Sequence, residues 1–99
     1  MKLIEKMLDH LEDEVDGATE YAEKYLENKA KGDMNRANKF KEMSNDEIKH
    51  AGYLFAMDTM DVDDIKKVYQ MSADELHAWE HGAKHINEKL ALVKQMLTM

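Results

Sequence analysis

The sequence predicts an all-α fold, an antiparallel helical hairpin followed by a third long helix. Proline is absent, and glycine occurs only at positions 17, 32, 52 and 82 of the 99 residues, so little interrupts helices. The residue mix is rich in Glu, Lys, Ala, Leu and Met and poor in Val, Ile and Thr, which is the composition of helices rather than strands. Apolar residues recur mostly three and four apart through most of the chain.

The first helix is expected over 3–30, with a stripe of Ile4, Met7, Leu8, Leu11, Val15, Ala18, Ala22, Tyr25 and Leu26. Lys31-Gly32-Asp33 reads as the turn, since Gly32 suits the left-handed position after a helix end and Asp33 suits the next N-cap. A second helix is expected over 34–58, with Ala37, Phe40, Met43, Ser44, Ala51, Leu54 and Phe55 inward. Asp61-Val62-Asp63-Asp64 looks like the capped start of a short helix over 61–71, with Ile65, Val68 and Tyr69 as its apolar side. Ser72-Ala73-Asp74-Glu75 is a capping-box pattern that opens the last helix, over 72–99, with Leu76, Trp79, Ala83, Ile86, Leu90, Val93 and Leu97 as its stripe. No repeat or linker divides the chain, so residues 1–99 are expected as one domain whose first 58 residues form a hairpin. Three apolar stripes can close a bundle alone, or two hairpins can pair into a four-helix core.

Composition narrows the function classes. The net charge is −7 and no basic stripe is interleaved with aromatics, so nucleic acid is not an expected partner. Cysteine is absent, which removes disulfides, thiolate metal sites and a thiol nucleophile. No uncharged run approaches the roughly 20 residues that span a bilayer, and charges come too early for a signal-peptide core. The expectation is a cytoplasmic protein with no membrane partner.

Glu47-Ile48-Lys49-His50 puts a carboxylate and an imidazole one helical turn apart. With 21 acidic residues and five His, about one acid-x-x-His arises by chance, and Asp74-Glu75-Leu76-His77 is such a match. Position distinguishes the first. Glu47 lies inside the apolar arc of its helix and His50 at its edge, whereas Asp74 and His77 point away from theirs. Glu14 falls roughly 70° from the centre of the first helix's stripe and is the most inward acid of its neighbourhood. Glu14 is 18 residues before Gly32 and His50 is 18 after it, so antiparallel packing sets them at one height, with Glu47 a turn nearer the loop. Burying two carboxylates is costly unless they are protonated, paired or bound to a cation. Oxygen and imidazole donors suit a hard or borderline divalent ion. Glu14, Glu47 and His50 are therefore the candidate metal ligands, with Glu20 as a substitute if the first helix is rotated. Three ligands are too few for two metals, but a two-fold dimer doubles them to four Glu and two His.

Glu14, then Tyr21 seven residues later, then Glu47-x-x-His50, resembles the first half of the rubrerythrin and encapsulated-ferritin group of di-iron proteins, over roughly residues 3–58. The resemblance implies a ferritin-like four-helix core completed by homodimerisation. It implies two irons per dimer site, with Mn or Zn as substitutes. The activity implied is that of a ferroxidase, with Glu14, Glu47 and His50 serving as both catalytic and metal residues. Glu47 would bridge the two metals, and Glu14 and His50 would be terminal ligands. The chain departs from full-length ferritin-like proteins in carrying no second inward Glu-x-x-His.

Other residues carry plainer readings. Tyr21 reads as a tyrosine at the core edge, and His77, His81 and His85 as a solvated row opposite the last helix's stripe. The nine Met residues read as core filler. His10 reads as a surface residue, one turn before Glu14, that could sit at the mouth of a site. The alternative to a di-metal protein is a non-enzymatic helical interaction protein with no functional metal, whose inward acids only fix register.

Overall fold

A computed structural model describes all 99 residues and contains three α-helices and no strand. The first, α1, runs Lys2–Ala30, and every third or fourth residue from Ile4 through Met7, Leu11, Val15, Ala18 and Ala22 to Tyr25 is buried. The turn that ends it satisfies the free carbonyls of its last turn. Gly32 adopts φ +79, the Gly32 N–H donates to the Lys29 carbonyl at 3.0 Å and the Asp33 N–H to the Asn28 carbonyl at 2.9 Å. This paired closure needs the left-handed backbone that glycine adopts without strain. Asp33 then caps α2 by accepting from the Arg36 N–H at 3.0 Å.

The second helix differs from expectation. Instead of ending near 58 and restarting at 61, α2 runs unbroken over Met34–Val68. The Asp-rich segment at 61–64 has the composition of a helix start, yet Val62 is fully buried and Ile65 packs against the same core as Ala51 and Phe55. The apolar phase therefore continues through the acidic residues, and no Gly or Pro intervenes after Gly52 to break the backbone. The local capping signal loses to burial on one continuous face. Tyr69 ends the helix in an extended conformation.

Ser72 and Glu75 form the expected capping box, with Ser72 N–H to Glu75 Oε1 at 3.0 Å and Glu75 N–H to Ser72 Oγ at 3.1 Å. The third helix, α3, spans Ala73–Met96 and stops three residues short of the C-terminus. It lies parallel to α1: the N-terminal amine sits 3.8 Å from Glu75 at its start, and Lys29 donates to the Met99 carbonyl beyond its end. α1 is the shared element, packed along both other helices, whereas the α2 and α3 backbones rarely come close, and Phe55 of α2 stacks on Trp79 of α3 with ring centroids 6.0 Å apart. The result is a rod of 55 × 18 × 18 Å.

Small residues set the α1–α2 spacing. Ala18, Ala22, Ala37 and Ala51 are fully buried, and Ser44 donates its hydroxyl to the Ala18 carbonyl at 2.7 Å. The other flank of α1 faces α3, where Gly82 leaves room for Leu8: a β-carbon at 82 would stand 2.6 Å from a Leu8 methyl. Lys89 of α3 pairs with Glu12 and Asp16 on that flank.

Only 17 of 99 residues are buried, and α2 keeps a bare apolar flank, with Tyr53, Met57 and Met60 60–69% exposed. No helix is long and apolar enough to cross a membrane. The continuity of α2 predicts that Asp61→Pro, which removes a hydrogen bond and clashes with the preceding turn, costs about 3 kcal/mol in urea unfolding. A cost near zero would place a helix start there instead.

Candidate metal centre

Glu14 projects from the α1 flank opposite Glu12 and Asp16, away from α3 and toward α2. From α2, Glu47 and His50 lie one turn apart and face it. His50 Nδ1 is 3.9 Å from Glu14 Oε2 and 3.8 Å from Glu47 Oε1. The three side chains offer donor atoms within 4.8 Å of one another, and no other group of His and acidic residues does so. The convergence expected from the hairpin arithmetic is therefore present in the folded chain.

These separations are too long for hydrogen bonds. They suit donors around one ion: bonds of about 2.0–2.2 Å held 90–130° apart leave donor atoms roughly 3.0–4.0 Å from each other. Burial is graded across the set, with the side chains of Glu14, Glu47 and His50 23%, 28% and 59% exposed. The carboxylates sit in the groove and the imidazole at its rim. No Lys or Arg lies within ion-pairing distance of either carboxylate, whose nearest cationic candidates are imidazoles. Glu14 Oε2 is itself buried and has no hydrogen-bond partner. An acceptor atom left this way costs its full desolvation unless a cation or proton reaches it. The donor set and this orphaned oxygen together fit a borderline divalent ion.

The Glu47 carboxyl is held above the usual carboxylate range. The main cause is the Glu14 carboxyl beside it, which favours a proton shared between the two; burial and mutual repulsion add to the shift, and His50 opposes it. When both are ionised they are acceptors only, and nothing joins them.

Gly17, one turn beyond Glu14, borders the Glu47 carboxylate, and a β-carbon there would make an ordinary contact with Glu47 Oε2 at 3.4 Å. The sequence pattern offered no signal for this neighbour.

The remaining candidates do not join the cluster. Glu20 is exposed and offers no donor to it. Tyr21 is half-buried and stacks on Phe40 with ring centroids 6.4 Å apart, a packing role at the core edge. His77 and His81 stack at 5.6 Å on the exposed face of α3. The surface depression beside them is lined by His81, Lys84, His85 and Glu88, and the Lys84 ammonium makes it a poor cation site. His10, by contrast, lies 3.8 Å from Glu14 Oε1.

No family model matches the chain, and neither a curated protein nor a solved structure does. The reading of this site rests on its own residues.

The raised Glu47 carboxyl gives a pH dependence with a definite sign. The unfolded chain titrates Glu47 near the ordinary value of about 4.3. Between that value and the raised one, the folded state holds more protons than the unfolded state. Glu47 therefore lowers metal-free stability as pH rises through this window and restores it as pH falls. Glu47→Gln is expected to remove that component and to melt above wild type at neutral pH without metal. Urea unfolding at a series of pH values checks this, and a Gln variant weaker at every pH would mean that the ionised carboxylate favours the fold.

Proposed function

We propose that the chain supplies half of a carboxylate-bridged di-metal centre and that two copies pair across the free α1–α2 flank to complete it. The observation that carries this reading is the convergence of Glu14, Glu47 and His50 around a buried carboxylate oxygen with no protein partner. One chain offers two carboxylates and one imidazole; a two-fold axis beside the groove doubles this to four and two, the number that two metal ions need.

The surface around the site supports the pairing. Tyr53, Met57 and Met60 lie three, seven and ten residues beyond His50, on the same side of α2, and all are exposed. An exposed apolar strip beside a candidate site is a place where a partner surface can dock. A second copy is the occupant that also completes the ligand set.

The proposed activity is oxidation of Fe(II) with dioxygen or peroxide. With dioxygen, two Fe(II) each lose one electron, and the pair of electrons with two protons gives hydrogen peroxide. Fe(II) is the substrate here, and two-metal sites act by holding both ions at a fixed short separation. Glu47, inside the second helix's apolar arc, would bridge the ions. Glu14 Oε2 would supply a terminal oxygen, and His50 would supply nitrogen from the rim. The competing reading, a helical interaction protein without functional metal, draws on the same apolar strip and satisfies Glu14 Oε2 with a proton shared with Glu47, but it gives no role to the convergence of His50 on both carboxylates.

Glu47→Ala should abolish Fe(II) oxidation while keeping wild-type helicity by circular dichroism, since it removes a donor and adds a strong helix former. His50→Ala, at an exposed position, should do the same. Oxidation at the wild-type rate in both variants would exclude this site as the centre.

A further inference from the structure

The Glu14 carboxylate has two faces, and only one is absorbed by the site above. Oε2 points inward to His50 and Glu47, while Oε1 lies 3.8 Å from Nε2 of His10. His10 stands one turn before Glu14 on the same side of α1 and is 61% exposed at the side chain. The 3.8 Å gap is too long for a hydrogen bond, and it matches the inner donors, which stand 3.8 and 3.9 Å apart. Across the groove, α2 contributes Asp58, which is half-buried and near enough to His10 to feel its charge, with Asp61 close by. His10 thus stands near carboxylates from both helices, one helical turn outside the candidate ligands.

We propose that His10 and Glu14 Oε1 form an outer cation position that takes a borderline divalent metal ion from solvent and hands it to Glu14 Oε2, Glu47 and His50. This rests on the di-metal reading and adds the route of loading. The chemistry follows from one shared carboxylate. An ion held by Nε2 of His10 and Oε1 of Glu14 keeps most of its water, since the protein offers it only two donors. Moving inward, it exchanges Oε1 for Oε2 of the same group and collects Glu47 and His50, so that at no point does it lose Glu14. Imidazole and carboxylate select Fe(II), Co(II), Zn(II) or Mn(II) over the hard ions that prefer oxygen alone. Asp58 and Asp61 add negative charge beside His10.

The test uses the full chain with Co(II) and Fe(II) as probes, without a His-tag. Anaerobic Co(II) titration by visible absorption and calorimetry should show a tight phase of one ion per chain and a weaker phase beyond it. His10→Ala should lose the weaker phase and load Fe(II) roughly tenfold more slowly when iron is limiting, the scale seen when a supporting group at a metal site is removed. His77→Ala, which removes an equally exposed imidazole far from the groove, should behave as wild type in both measurements. His10→Ala with an intact weak phase and wild-type loading, alongside a Glu47→Ala variant that loses the tight phase, overturns the outer position and leaves the di-metal reading standing. Wild-type protein that takes up no stoichiometric Co(II) overturns both.

Discussion

The close approach of α1 and α2 is the constraint on which the rest of the molecule depends. Alanines at 18, 22, 37 and 51 and the Ser44 hydroxyl bond to the Ala18 carbonyl let the two backbones run near each other over several turns. The Gly32 turn sets their register. Larger residues at these points would separate the helices and leave Glu14 and Glu47 in water, each with its own hydration shell. With small residues, the carboxylates are pressed together at the edge of the groove, and the rise in the Glu47 carboxyl follows from that nearness. The third helix stays off this side, because Gly82 and Lys89 fasten it to the opposite flank of α1.

Such an arrangement works against the metal-free fold. Two carboxylates share a groove without an ammonium or guanidinium, and one of their oxygens has no partner at all. Natural folds retain this kind of local conflict where a ligand resolves it. In the proposed account a divalent ion supplies the missing charge and the missing partner together, and binding adds its free energy to folding, about 2.7 kcal/mol when free metal stands at 100 times the dissociation constant. The exposed Tyr53, Met57 and Met60 strip is a second conflict on the same side of the molecule, and pairing of two chains would relieve both at once.

The hairpin was legible in the sequence because its signals are local and agree. A three-and-four stripe runs through α1, Gly32 and Asp33 punctuate the turn, and the spacing of Glu14 and His50 about that turn is enough to set their height. The unbroken α2 was not legible. Asp61, Asp63 and Asp64 imitate a helix start, and only the burial of Val62 shows that the apolar phase carries through them. The placement of α3 beside α1 was also hidden, since it depends on a missing β-carbon at Gly82 and on ion pairs between residues more than seventy positions apart. At the site, Glu14, Glu47 and His50 could be named from helical phase, while the nearness of Gly17 to Glu47 and of His10 to Glu14 Oε1 belongs to the packed structure.

The shared centre is tested most directly by native mass spectrometry of untagged protein loaded anaerobically with Fe(II), which reads chain number and metal number in one species. The expected result is a dimer carrying two metal ions, with monomer found metal-free and Glu47→Ala giving no metal-loaded dimer. A monomer that holds two ions, or a dimer that carries none at saturating iron, would contradict the account.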